Sequence, residues 1–390
     1  MKGYPSDLIE QRAIARTIRI WQTEKIISES KASELLQAHS ATLYQPNFFI
    51  KIGLFLFTEL ACCFFSSLIY LIVSPAFNNS TSSFLTFLSI ILAICFACAL
   101  EYVIRKKRFV SVGIDNALLY ACLLASCFAL VNTLEGSIGT APLLTILASV
   151  LLVATIRYGD FLVGGMTLLL FTAAFIAFFK NYTWGLDYLP FLIMAFAATM
   201  YGILGRLKKR KDSFYYERCF DIVEVITFLL FYSGGNYYVV REGHALLHNI
   251  YTTPSPEIAL APLFYFFTLS IPFLYLFGGI QQRNRLLLGI GALTLACSIA
   301  TYRHYYSVLP IEWALTLSGG LLILLALLLI RQLKEPRWGL VDREEKQKDT
   351  EIRDLVIGHF VQESIQNRPS QTNDGFGGGD FGGAGSGGTF

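Results

Sequence analysis

Long apolar runs separated by short polar stretches set the organisation of this chain. A helix needs about 20 apolar residues to cross ~30 Å of hydrocarbon. Runs of that kind fall at about 50–73, 84–104, 111–132, 138–156, 158–179, 188–207, 219–240, 258–280, 285–301 and 309–331. They predict an all-α fold, a polytopic transmembrane helical bundle of about ten helices. The count turns on two places. The fourth and fifth runs are separated only by Arg157-Tyr158-Gly159, and the ninth run is short.

The polar stretches give an independent reading of topology, because Lys and Arg gather in cytoplasmic loops. With the N-terminus inside and the helices alternating, inner segments carry Arg105-Lys106-Lys107-Arg108, Arg157, the cluster from Arg206 to Lys211, Arg218, Arg283 and Arg285. Both termini are then inside, and that side holds 28 of the 31 Lys and Arg residues. The outer loops hold only Lys180, Arg241 and Arg303. Tyr182, Trp184, Tyr188, Tyr237, Tyr238, Tyr302, Tyr305, Tyr306 and Trp313 flank those outer loops, where amphipathic rings favour the headgroup level. The expected location is the plasma (bacterial inner) membrane, multi-pass, with both termini cytoplasmic.

Composition agrees. The chain is 54% hydrophobic and 15% charged, with mean hydropathy +0.53. A soluble domain carries roughly 25% charge, so the excess apolar surface must face a lipid bilayer. All eight cysteines lie in or beside apolar runs. A disulfide framework would place them in loops on the oxidising side, so they read as packing residues. Cys95-x-x-Cys98 has redox spacing but sits inside an apolar helix without a partner pair. No cleavable leader is visible in the first 46 residues, so the first apolar run serves as the targeting signal.

Residues 1–46 predict a cytoplasmic helical head. Ile14, Ile18 and Trp21 fall on one helical face, and Ser28 is placed to cap a second helix containing Leu35-Leu36. Its six basic and five acidic residues form no basic stripe, which argues against nucleic acid as a partner. The bundle occupies 47–332. A charged cytoplasmic segment, 333–365, has amphipathic potential through Ile352, Leu355, Val356 and Phe360. The Gly-rich tail, 366–390, cannot bury enough surface to order itself and is expected to be disordered. Its Phe376, Phe381 and Phe390 leave open either a plain tether or a docking motif for a protein partner.

The head reads R-x-I-x-x-W-x-x-x-x-I-I-S-x-x-x-A-x-x-L from Arg16 to Leu35, followed by Tyr44-Gln45-Pro46 and an apolar run opening at Ile52-Gly53. This resembles the N-terminal part of the bacterial membrane proteins of the domain of unknown function 2157 family. The resemblance covers roughly the first 70 residues. It implies a short helical head before many membrane helices and a bacterial origin, and it implies no chemistry.

Ionisable residues inside a membrane are costly and are functional candidates by default. Glu59 lies near the midplane of the first run, about ten residues in. Asp221 and Glu224 share one face near the inner start of the seventh run. Glu101, Asp115 and Asp160 lie near inner helix ends. These acids could form a cation entry vestibule, or could pair with Arg105, Arg157 or Arg218. Helix breaks are a second signal. Gly234, Gly235 and Asn236 interrupt the seventh run, and Pro272 the eighth. His244 and His248, at i and i+4 in an outer loop, could share one helical face toward a metal, but two histidines without a third ligand leave the expectation at no metal site. No cofactor and no catalytic residue is expected. The motifs H-E-x-x-H, G-x-S-x-G and the Walker A loop are absent.

Two functional classes follow. One is a secondary transporter or carrier of a small molecule or envelope precursor, favoured narrowly by helix count, embedded acids and breaks. The other is a membrane scaffold or assembly subunit that binds partners through head and tail. Topology can be tested first. Alkaline phosphatase joined after residue 182 is expected to be active outside the cytoplasm, and joined after residue 210 to be inactive. Equal activity at both junctions would overturn the alternation.

Overall fold

The computed structural model describes residues 3–23, 26–39, 46–76, 81–252 and 255–306, with six further positions between 316 and 327. The described elements are helices: α1 Ser6–Thr23, α2 Glu29–His39, α3 Phe48–Val73, α4 Thr81–Lys107, α5 Ile114–Leu134, α6 Thr140–Tyr158, α7 Phe161–Phe179, α8 Thr183–Lys208, α9 Glu217–Gly235, α10 Tyr237–Leu247, α11 Ala261–Gln281 and α12 Arg285–Tyr305. Eight of them (α3 to α8, α11 and α12) are long and apolar enough to span a bilayer. The pair α9 and α10 passes the same test together but bends by 75° at its break. The chain is therefore a helical integral membrane protein. The first nine predicted runs each coincide with a described helix or, for the seventh, with this bent pair. The chain separates into two units after Ser307. In the second, the six described positions, Thr316 to Leu327, are helical. The rest of the tenth run, the segment 333–365 and the tail lie outside the described residues.

The fourth and fifth runs are two helices because a glycine and an acid divide them. Gly159 takes φ 63°, the left-handed conformation that ends α6, and its N–H donates to Thr155 O at 2.8 Å. Any side chain there would meet the Tyr215 ring at 2.8 Å. Asp160 then caps α7, accepting from the N–H groups of Leu162 and Val163, each at 3.0 Å. The side chains of Asn116 and Tyr120 fill its remaining acceptor sites at 3.0 Å.

The helices pack as hairpins, α4 with α5, α6 with α7, α8 with α9 and α11 with α12, and α7 against α9 ties the first pairs to the last. Small residues permit that last approach: a Cβ on Gly164 would collide with Cys219 Sγ. The largest buried cluster joins Leu88, Leu92, Phe96, Leu100 and Ile104 of α4 to Leu118 and Leu119 of α5. A smaller one joins Tyr232 to Ile271, Tyr275, Leu287 and Ile290. By contrast α3 is little covered. Only 6% of its apolar window is buried, against 44% for α7. Leu56, Phe57, Leu60, Phe64 and Leu68 are exposed along it, as suits a lipid solvent.

The head docks on the bundle end where α5 begins and α6 stops. Ser28 Oγ accepts from Lys31 N–H at 3.4 Å and caps α2, while on α1 Ile18 and Trp21 are buried and Ile14 is partly buried. Gly3 N–H donates to Arg157 O at 2.6 Å. The Tyr4 hydroxyl donates to Asp115 at 2.7 Å. Asp115 is fully buried and also accepts from the N–H groups of Ser111, Val112 and Gly113, at 2.6, 2.9 and 3.1 Å. One carboxylate thus closes the α4–α5 turn and holds the head.

Burial, reinforced by that carboxylate, pushes the Tyr4 hydroxyl well above its ordinary value of 10.0. A raised folded value means the neutral phenol favours the docked state. Its contribution is fully present below pH about 10 and is lost as pH rises further. Tyr4→Phe is expected to cost about 1–2 kcal/mol and Asp115→Ala about 3 kcal/mol, because the latter orphans three N–H groups and a hydroxyl. Thermal unfolding in detergent checks both. The alkaline loss of head protection from protease should be absent in Tyr4→Phe.

Candidate functional site

A buried polar cluster surrounds the bend between α9 and α10. Asn236 occupies the joint and is 2% exposed. Its Oδ1 accepts from Val239 N–H at 3.1 Å, which caps α10. Its Nδ2 donates to the Tyr232 hydroxyl at 2.7 Å and to Thr301 Oγ1 at 3.0 Å. From Tyr232 the network continues to Ser298 Oγ at 2.9 Å, and from there to Thr268 O at 2.5 Å. The Thr268 hydroxyl accepts from Tyr237 N–H at 2.8 Å, so the first backbone donor freed by the bend is satisfied from α11. Breaking a helix in hydrocarbon is tolerated only when neighbours supply such partners. Here α11 and α12 supply them, through threonine and serine side chains that are themselves fully buried.

Beyond the joint, α10 is clamped at the bundle end opposite the head. Arg241 is buried. It donates from Nε to Ser255 O at 3.0 Å, from Nη2 to the same oxygen, and from Nη1 to the Tyr237 hydroxyl at 3.0 Å. Its guanidinium lies 4.7 Å from the Tyr305 ring centre. Glu242 accepts from the hydroxyls of Ser255 and Tyr305, at 2.6 and 2.9 Å. The expected outer loop therefore opens as a fixed, amphipathic helix. His244 stands on it and His248 caps its end, with rings stacked 4.0 Å apart, and Asp187 of α8 faces them.

Gly234, Gly235 and Asn236 thus meet at one break. Pro272 does not interrupt its helix, since α11 runs unbroken through it. Its neighbour Ile271 packs on Gly235. The acids do not join this site. At the head's end, Glu224 pairs with Lys208, and Asp221 lies 3.8 Å from the same ammonium. Glu101 pairs with Arg105 at 2.9 Å and with Arg157 at 2.5 Å. Glu59, half-buried on α3, makes no hydrogen bond or ion pair among the described residues. An apolar groove of about 600 Å³ opens beside the bend, lined by Met194, Phe231, Phe267, Ser270, Phe273 and Phe277. Neither Glu59 nor Glu224 borders it. Sequence reasoning missed Tyr232, Thr268, Ser298, Thr301 and Asp187. Hydroxyl residues are common in membrane helices, and only the fold brings these to Asn236 or to the histidines.

Comparison with protein-family models, curated proteins and solved structures finds no match, so the chemistry of this site rests on its own residues. Asn236→Ala is expected to cost about 2 kcal/mol, through the lost donors and an uncapped α10. Gly234→Ala should cost about 1–3 kcal/mol, since its Cβ would lie 2.8 Å from both Pro190 O and Met194 Cγ. Gly202→Ala, with nothing within 4 Å of the new Cβ, should be neutral or stabilising. Thermal unfolding of the three variants gives the ranking directly.

Proposed function

We propose that this protein is a membrane assembly subunit that presents its helical head to a partner protein. The observation that carries this reading is the head itself. One side is locked to the bundle through Gly3 and Tyr4. Its two helices and the turn between them open a groove of about 810 Å³ lined by Arg19, Gln22, Ile26, Ile27, Ser28 and Leu36. A held hairpin with a mixed apolar and charged groove suits a helical or extended segment of another protein. The pairing of Glu224, Glu101 and Asp160 inside the protein supports the same reading, since those acids already serve packing and capping. In this reading head and tail face the cytoplasm of a bacterial plasma membrane. The gathering of Lys and Arg at the helix ends on the head's side supports that orientation. The tail, 366–390, would add a second, tethered contact.

A carrier is the second reading. The discontinuous α9–α10 pair and the unpaired Glu59 favour it, because broken helices and embedded acids mark substrate sites in transporters.

One experiment separates them. A photo-crosslinking residue at Gln22, in native membranes, is expected to give a discrete protein adduct that Ile26→Asp abolishes and Glu59→Gln leaves unchanged. An absent adduct, or one insensitive to Ile26→Asp, would overturn the assembly reading. Loss of a transport activity in Glu59→Gln would favour the carrier.

A further inference from the structure

We propose that Asp187, His244 and His248 form a binding site for a divalent transition metal of the zinc type, on the bundle end opposite the head. The sequence offers two histidines at i and i+4, which α10 places on one face. The fold adds what the sequence lacks, a third ligand 57 positions before His244. The α7–α8 turn sets Asp187 in the first turns of α8, against that face. The three ligand atoms lie within 4.8 Å of one another. Tetrahedral zinc with bonds of about 2.0–2.1 Å needs ligands roughly 3.3 Å apart, a closure within reach of side-chain rotation alone. His248 and Asp187 are exposed and free to make that adjustment, while His244 is partly buried.

Two details favour a ligand role over chance proximity. His248 Nδ1 lies 2.9 Å from His244 O. A carbonyl can only accept, so Nδ1 carries the proton and Nε2 presents its lone pair. Metal-bound histidines are oriented by the same type of bond. Asp187 has no hydrogen bond or ion pair among the described residues, leaving a carboxylate beside two stacked imidazoles that no cation serves. The donor set is two nitrogens and one oxygen. It suits zinc-like ions and is poor for magnesium or calcium, which take oxygen ligands. Three protein ligands leave a fourth position for water or a further group. A bound ion would strap α10 to the start of α8.

The test uses the full-length protein in detergent, stripped of metal with chelator and titrated with zinc. One ion per chain and a raised thermal midpoint are expected, with no shift from magnesium. His244→Ala, His248→Ala and Asp187→Asn should each weaken binding by about tenfold or more, the order seen when a metal site loses an orienting contact. His304→Ala, a neighbouring histidine outside the cluster, should bind as the unsubstituted protein does. Affinity should fall as pH drops, because a protonated imidazole has no lone pair left for the metal. Equal binding by the His244→Ala/His248→Ala double variant, or no saturable zinc binding in the unsubstituted protein, would overturn the site. A double variant that misfolds is replaced by Asp187→Asn, whose exposed side chain bears no packing.

Discussion

Hydrocarbon offers no hydrogen bonds, so a backbone group freed inside this bundle must find its partner within the protein. That constraint explains why the irregular places look as they do. At the α9–α10 bend, Asn236 and Thr268 replace the backbone partners that a continuous helix would have supplied. In the α6–α7 hairpin, Gly159 and Asp160 close both helix ends within two residues. In the α4–α5 turn, Asp115 collects three backbone donors and the hydroxyl that anchors the head. At these three places the departure from helix carries its own polar partners, while aliphatic and aromatic side chains such as Leu56, Phe57 and Phe64 are exposed along α3.

The same constraint decides what was legible in the sequence. Span positions were legible because hydropathy over 20 residues is a local property. Nine of them match the described helices or the bent pair, and the division the pattern put at Arg157-Tyr158-Gly159 falls at Gly159-Asp160, because α6 continues to Tyr158. The break at Asn236 was also legible, since glycines and an amide in an apolar run have few other uses. Partner choice was not. Lys208 and Glu224 are 16 positions apart on separate helices, and only the α8–α9 hairpin makes them neighbours. Tyr4 reaches Asp115 across 111 positions. Asp187 is a single acid in the first turns of α8, without meaning until the 75° bend before α10 brings the histidines to it.

The two ends of the molecule consequently differ. At one, basic residues and paired acids gather beside a docked hairpin. At the other, a bent helix fixed by Arg241 carries imidazoles toward a carboxylate. Between them an apolar groove opens at the bend, and α3 is little covered.

The central claim is that the ionisable residues paired within the helices serve the fold. The Glu224–Lys208 pair tests it most directly. Thermodynamic stability of Glu224→Gln, Lys208→Met and the double variant, in lipid or detergent, gives their coupling energy. A pair that holds α8 to α9 yields a coupling of about 1–3 kcal/mol, with the double variant near the less stable single. A coupling near zero, with Glu224→Gln as stable as the unsubstituted protein, would contradict the claim and return Glu224 to the pool of functional acids.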